Sequence, residues 1–309
     1  SGKPVPAQNR NRITIMATAD FAGQFELNDE GTRGWSVLKT YADRVKRNRI
    51  NGASRAFLFH TGDLSGLSLN THDNPDSKHA LELLERQGVD LLQYTGFDAV
   101  ALRKSEETDL SGAGVGMWPS LVRFRANEAL ILDRPEISRP FRIWDASGPF
   151  VWLSAVEPPS DQAELATQIA SLKNEIWNNR AADVIVLLFA QKSSTNSHDE
   201  PDASNRVDFI DWMKGFRLDV GNPYHPLPAE SRDQFPYNKI LILVPGERGF
   251  FRLPDGISVC RIPSGEICQV ELDFRQNRKS ITQHWISLSE DQRTYQFIPA
   301  DPGLEKILH

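Results

Sequence analysis

The feature that most constrains this chain is a series of near-continuous apolar runs, each long enough for one strand and each followed by a turn or a loop. "RITIMATAD" (12–20), "AFLFHTGD" (56–63), "FDAVAL" (97–102), "ADVIVLLFA" (182–190) and "KILILVPG" (239–246) read this way. Uninterrupted apolar strands are buried on both faces, which points to parallel sheets covered by other layers. Helical periodicity fills the intervals. Leu38, Tyr41, Ala42 and Val45 share one face of a helix, and "SKHALELLERQG" (77–88) is amphipathic. Residues 160–180 read as a helix with Ser160 as N-cap and Glu164 in its first turn. "WPSLVRF" and "RPFRIWDASGPFVWLSAVEPP" add strands, with a turn at Ser147-Gly148, and the final third is β-rich. The alternation predicts an α/β fold with helices outside, in a single domain over 13–309 after a polar leader at 1–12.

Charge narrows the function classes. The formal net charge of −6 gives no general electrostatic case for nucleic acid or an anionic membrane. The basic stretch "RVKRNR" (44–49) reads as a solvated helix end. No stretch reaches 18 apolar residues, so no transmembrane segment is expected. The leader "SGKPVPAQNRNR" has the look of a trimmed end, compatible with a signal removed earlier.

Two cysteines, Cys260 and Cys268, flank "RIPSGEI" symmetrically about Ser264. If 257–262 and 266–272 pair as a hairpin, the sulfurs face each other across it. That leaves two outcomes open, a disulfide suited to an exported protein or two buried thiols. Two long polar loops, 191–207 and 217–238, are candidate partner surfaces, the second carrying Tyr224, His225, Phe235 and Tyr237. "SGAGVG" (111–116) lacks the Lys-Ser/Thr of a phosphate loop, and no Gly-x-Ser-x-Gly elbow is present.

The strand ends carry the chemistry. Asp20 closes the first run, and a carboxylate at the C-terminal end of a strand is a common catalytic position in α/β proteins. Asp63 closes the second, the 103–106 stretch follows the third, Ala190 ends the fourth and 246–249 follows the fifth. In this order the chain resembles the calcineurin-like metallophosphoesterases. It is similar above all to the N-terminal catalytic domain of the bacterial 5′-nucleotidase and thiosulfohydrolase family. "ITIMATADFAGQFE" resembles the family's I-x-h-x-x-T-N-D-x-H-G-x-x-E opening, and "FLFHTGDLSG" its L-L-x-D-A-G-D-x-x-x-G. "GFDAVALRKSE" resembles G-h-D-A-h-x-x-G-N-H-E, "DVIVLLFAQ" resembles D-V-I-h-h-L-S-H, and "ILILVPGERG" resembles I-D-h-I-h-x-G-H-T-H. "FIPADPGLEKIL" resembles the segment before the family's second domain, which is expected to be absent here.

The resemblance implies a four-layer α/β/β/α sandwich. It also implies where ligands of a two-metal site belong, and there the sequence departs from the pattern. Asp20 and Asp63 match family ligands, but Ala22 replaces a His. Lys104 stands for the Asn and Ser105 for the His of the third motif, beside Arg103 and Glu106. Ala190 replaces the fourth motif's His, and Glu247 and Gly249 replace both histidines of the fifth. Zn²⁺, Mn²⁺ and Fe favour imidazole in such sets, and a two-metal clamp needs its full set of ligands. The expectation is therefore a catalytically degenerate, 5′-nucleotidase-related protein without a cofactor, acting as a binding or structural component in the periplasm or at the cell surface. A Lys104–Asp63 ion pair would replace the metal charge. Two alternatives stay open. One is a phosphoric ester hydrolase with an all-carboxylate site for Mg²⁺, Mn²⁺ or Ca²⁺ built on Asp20, Asp63, Glu106 and Glu247. The other is a metal-free anion site of Arg103, Lys104 and Arg248.

Overall fold

The computed structural model describes residues 12–20, 34–50, 55–62, 92, 94–101, 122–125, 128–131, 141–143, 149–159, 162–190, 207–217, 234–274, 280–288 and 298–308. The apolar runs form the strands the sequence predicts. They are β1 (Arg12–Ala19), β2 (Arg55–Thr61), β3 (Ala99–Ala101), β7 (Val151–Val156), β8 (Val184–Phe189) and β9 (Ile240–Pro245). Between β3 and β7 come β4 (Val122–Arg125), β5 (Glu128–Ile131) and β6 (Phe141–Ile143). After β9 the chain adds β10 (Gly249–Arg252), β11 (Ser258–Ile262), β12 (Glu266–Asp273) and β13 (Ser280–Ser287). The helices are α1 (Gly34–Ile50), α2 (Gln162–Asn178), α3 (Phe209–Arg217) and α4 (Pro302–Leu308).

Two sheets result, ordered β13-β12-β1-β2-β3-β4-β5 and β10-β11-β9-β8-β7-β6. In the first, β1 to β4 run parallel, β12 and β5 pair antiparallel on either side of them, and β13 pairs antiparallel with β12 at the edge. In the second, β7, β8, β9 and β11 run parallel, with antiparallel β6 and β10 at the edges.

Side-chain alternation sorts the strand residues into layers. Ile13, Ile15, Ala17 and Ala19 of β1 point between the sheets, where they join Phe59, Leu153, Val186, Leu188, Leu241 and Leu243. Ile185, Leu187 and Phe189 point the other way, onto α2 and α3 and a cluster containing Ile169, Leu172, Trp212 and Phe216. On the outer face of the first sheet, Trp35, Leu38, Tyr41 and Ala42 of α1 are buried, and the Tyr41 hydroxyl donates to Gln269 Oε1 of β12 at 2.7 Å. The order is helix, sheet, sheet, helix, the expected four-layer sandwich.

The hairpin expected around Ser264 does not form. β11 belongs to the second sheet and β12 to the first, so the 263–265 turn carries the chain from one sheet to the other. Gly265, at φ +73°, supplies the left-handed turn residue this change of direction uses. The sequence pattern of two strands around Pro-Ser-Gly fits either outcome. The deciding factor is that β9 offers β11 a parallel edge while β1 offers β12 an antiparallel one. Helix 77–88, the Ser160 cap and the loops over 191–206 and 218–233 lie outside the described residues.

Candidate functional site

The parallel strands of both sheets end at one edge of the sandwich, and specific contacts tie those ends together. Asp20 follows β1, Gly62 follows β2, Ala190 follows β8 and Gly246 follows β9. The Thr61 hydroxyl donates to the carbonyl of Phe189 at 2.7 Å, crossing from the first sheet to the second. The Ala190 amide donates to the Val156 carbonyl at 2.8 Å. The Gly246 amide donates to the Ile262 carbonyl at 3.0 Å.

Asp20 sits in the elbow at the centre of this edge. It is buried and has φ +48°, a left-handed conformation that Asp tolerates better than most residues. Its amide donates to the Thr61 carbonyl at 3.2 Å, and its own carbonyl accepts the Ser264 hydroxyl at 2.7 Å. The carboxylate lies against Gly62, itself at φ +85°. A β-carbon at Gly62 would overlap Oδ1 of Asp20 and sit 2.6 Å from Cγ of Pro245. The sequence therefore needs glycine at 62 for two reasons, backbone conformation and close approach.

The last strand end is built differently. Glu247 and Arg248 are exposed at the β9–β10 turn, and Gly249 opens β10 opposite Arg261. Arg248 forks onto Glu266 of β12, with Nε donating to Oε2 at 2.9 Å and Nη2 to Oε1. Its guanidinium also lies 5.7 Å from the ring centroid of Trp285 on β13. The hydrogen bonds that Arg248 donates to Glu266 push its pKa further above its ordinary value. One of the three cations proposed for anion binding, Arg248, is thus already matched by a carboxylate of this chain.

His60 belongs to the core rather than the site edge. It is fully buried, its Nδ1 lies 3.0 Å from the Thr18 hydroxyl, and its ring meets Phe97 edge-on with centroids 6.0 Å apart. His284 lies on β13 opposite Gln269. Ala22, Asp63, Arg103, Lys104, Ser105 and Glu106 fall outside the described residues, so the expected Lys104–Asp63 pair does too. Of the residues predicted for the site, Asp20 and Ala190 stand at the strand-end edge with Glu247, Arg248 and Gly249 on the adjoining turn. Sequence reasoning missed Thr61, Gly62, Ser264 and Glu266. Gly62 was visible as a turn residue before Asp63. Ser264 and Glu266 come from a distant turn and strand, and no local signal links them to Asp20 or Arg248.

The resemblance implies a two-metal centre at this edge. Among the described strand-end residues, Asp20 offers one buried carboxylate and Glu247 an exposed one. Ala190 offers a methyl group, Gly249 no side chain, and Arg248 a cation. No group of three or more His, Cys, Asp or Glu among the described residues is placed to hold a metal ion. These residues alone do not fit a dinuclear centre, whose ions need a shared, mostly imidazole and carboxylate cage.

Comparison with known structures places the fold. A 5′-nucleotidase from Candida albicans aligns with 96% of this chain and 57% of its own at a TM-score of 0.57 and 12% identity. The sulfate thiohydrolase SoxB of Thermus thermophilus, solved with glycerol, aligns over 96% and 59% at 0.53 and 11% identity. The calcineurin-like phosphoesterase YfkN of Bacillus subtilis aligns over 96% and 95% at 0.54 and 13% identity. No family model matches the chain, and no curated protein matches it. The chain has the calcineurin-like phosphoesterase fold. It spans less than two thirds of the length of the 5′-nucleotidase and SoxB chains. Among the described residues, no helix is long and apolar enough to cross a membrane.

Proposed function

We propose that this chain is a 5′-nucleotidase-related protein that has given up two-metal phosphoester hydrolysis and serves as a binding or structural component. The observation that carries the reading is the chemistry at the strand ends. A methyl group stands at 190, and no side chain at 249, where this fold class resembles enzymes that place imidazoles. Arg248, between Glu247 and Gly249, is spent on Glu266. In this reading Asp20 and Asp63 are relic carboxylates, and Lys104 takes over the charge balance next to Asp63. Ser105 and Glu106 complete the relic stretch. The loop residues 191–206 and 218–233 supply the partner surface, without Phe235 and Tyr237, which pack on the second sheet's outer cluster instead of facing a partner, and the working location is the periplasm or the cell surface.

Metal content and turnover test it together. Protein purified without chelator is assayed by inductively coupled plasma mass spectrometry. Hydrolysis of p-nitrophenyl phosphate and AMP is measured with added Mn²⁺, Zn²⁺ and Mg²⁺. Substoichiometric metal and no turnover above buffer are expected. Near-stoichiometric metal with turnover abolished by Asp63→Asn would replace this reading with the all-carboxylate hydrolase.

A further inference from the structure

β13 (Ser280–Ser287) is the edge strand of the first sheet. It pairs with β12 along its whole length, from Ser280↔Asp273 to Ser287↔Glu266, without a bulge. Among the described residues no strand pairs along its other side. Edge strands are usually shortened, or guarded by lysine, proline, a bulge or an inward-pointing charge, because their open amides and carbonyls accept a further strand. β13 itself carries none of these guards. "SITQHWIS" contains no Asp, Glu, Lys, Arg or Pro, and Thr282, Gln283 and His284 are exposed.

The strand is also complementary to itself. Alternation puts Ile281, Gln283 and Trp285 on the face toward the second sheet, where Ile281 and Trp285 are half-buried against the core between the sheets. Thr282, His284 and Ile286 take the outer face. Two antiparallel copies in one sheet are related by a two-fold axis perpendicular to it, so each residue meets a residue of the same face. With the axis at Gln283, Ile281 of each copy stands opposite Trp285 of the other, and Thr282 opposite His284. Cross-strand pairs of an aromatic with a β-branched residue are stabilising. The two Gln283 amides meet at the axis, where each offers its twin both a donor and an acceptor. The strand is uncharged, so the seam brings no acidic or basic side chains of β13 together. An axis at His284 would set Trp285 against Gln283 and Ile281 against Ser287, losing both apolar pairs.

We propose that a second copy of this chain docks on β13, edge to edge and antiparallel, centred on Gln283, so that the two seven-stranded sheets become one. Self-pairing draws on none of the strand-end chemistry above. The paired stretch, 280–286, is about 24 Å long. One strand's width over that length falls well short of the roughly 800 Å² per partner of a tight interface. Association is therefore concentration-dependent, in the micromolar range.

The whole chain is measured by analytical ultracentrifugation from low micromolar to several hundred micromolar. The weight-average mass is expected to rise toward twice that of one chain. Gln283→Lys sets two like charges against each other at the axis and should weaken association about five-fold, as should Gln283→Glu. Mixing the two variants sets opposite charges there and should restore association to at least the wild-type level. A second reading needs no loss of association. A short bis-maleimide should link the Gln283→Cys variant to its twin. Ser280→Cys thiols, about 20 Å apart in this register, should stay unlinked. The native Cys260 and Cys268 are buried and do not compete. A wild-type mass that stays at one chain throughout overturns the proposal, whether the edge takes another protein's strand or none. A mixture of the charged variants that associates no better than either alone overturns it too, as does cross-linking of Ser280→Cys as fast as Gln283→Cys.

Discussion

Gly62→Ala probes the elbow at the strand ends most directly. Alanine at φ +85° occupies the left-handed region, which costs roughly 1–2 kcal/mol. Its methyl would overlap Oδ1 of Asp20 and stand 2.6 Å from Cγ of Pro245. Overpacking of this kind costs about 1–3 kcal/mol when neighbours cannot yield. Pro245 cannot yield easily, because β9 is a central strand pinned between β8 and β11. Asp20 is held at both ends of its backbone, by Thr61 and by Ser264. Alanine also stiffens the unfolded chain, which returns about 0.4–1 kcal/mol. The expected net loss is about 2–4 kcal/mol, a large share of the roughly 5–15 kcal/mol typical of a folded domain. Urea unfolding followed by tryptophan fluorescence measures it. Asp20→Gly supplies the second arm of a double-mutant cycle, since glycine accepts φ +48° and removes the carboxylate. In that background Gly62→Ala should cost at least about 1 kcal/mol less, because only Pro245 and the backbone still oppose the methyl. A loss below about 0.5 kcal/mol in the wild-type background, or an equal loss in both backgrounds, would refute the elbow's geometry.

Three further predictions rest on other contacts. Thr61→Val keeps the shape but removes the inter-sheet bond to the Phe189 carbonyl, and should cost about 1–2 kcal/mol by urea unfolding. The Arg248–Glu266 pair is about half exposed on the arginine side, so a double-mutant cycle should give a coupling of only about 0.2–1 kcal/mol, shrinking in high salt. The Cys260 pKa is raised in the folded chain by its hydrogen bond to Cys268 and by burial. A raised pKa favours the neutral thiol, so its stabilisation is complete below the unfolded thiol pKa of about 8.5 and falls as pH rises above it. Reduced protein should lose about 1.4 kcal/mol per pH unit more than Cys260→Ala in that range, measured by urea unfolding at stepped pH.

The fold was legible because the strands are buried on both faces. Continuous apolar runs such as Val184–Phe189 mark strands covered on both faces, though not which residues face the other sheet. The β-rich end was legible as strands but not as sheets. Nothing local distinguishes a Pro-Ser-Gly turn that closes a hairpin from one that switches sheets, because the choice depends on which strand edges remain open once β1 and β9 are in place. The same limit applies at the site. Asp20 could be found because it ends an apolar run, and Arg248 because it sits where a motif is expected. Their actual partners, Ser264 and Glu266, lie 244 and 18 residues away. A pairing that distant is decided by topology, which single-residue chemistry does not encode.

The elbow also bears on how such a scaffold survives a change of use. Every interaction given above for Asp20's backbone is made by Thr61 and Ser264 of this chain, and its carboxylate rests on Gly62. Residues in unusual backbone conformations persist only when their surroundings over-determine them. Here the hydrogen bonds to Thr61 and from Ser264 and the close approach of Gly62 contribute to holding it. Inter-sheet packing of Ile15, Phe59, Leu188 and Leu243 lies beneath. On the proposed reading, loss of imidazoles from the strand ends would remove chemistry and leave these contacts in place. Asp20→Asn separates the two roles. It keeps the volume and the left-handed tolerance, so the loss should stay at about 1 kcal/mol, the centre of the range for single substitutions. A much larger loss would mean that the carboxylate's charge, and not only its shape, is part of what holds the strand ends together.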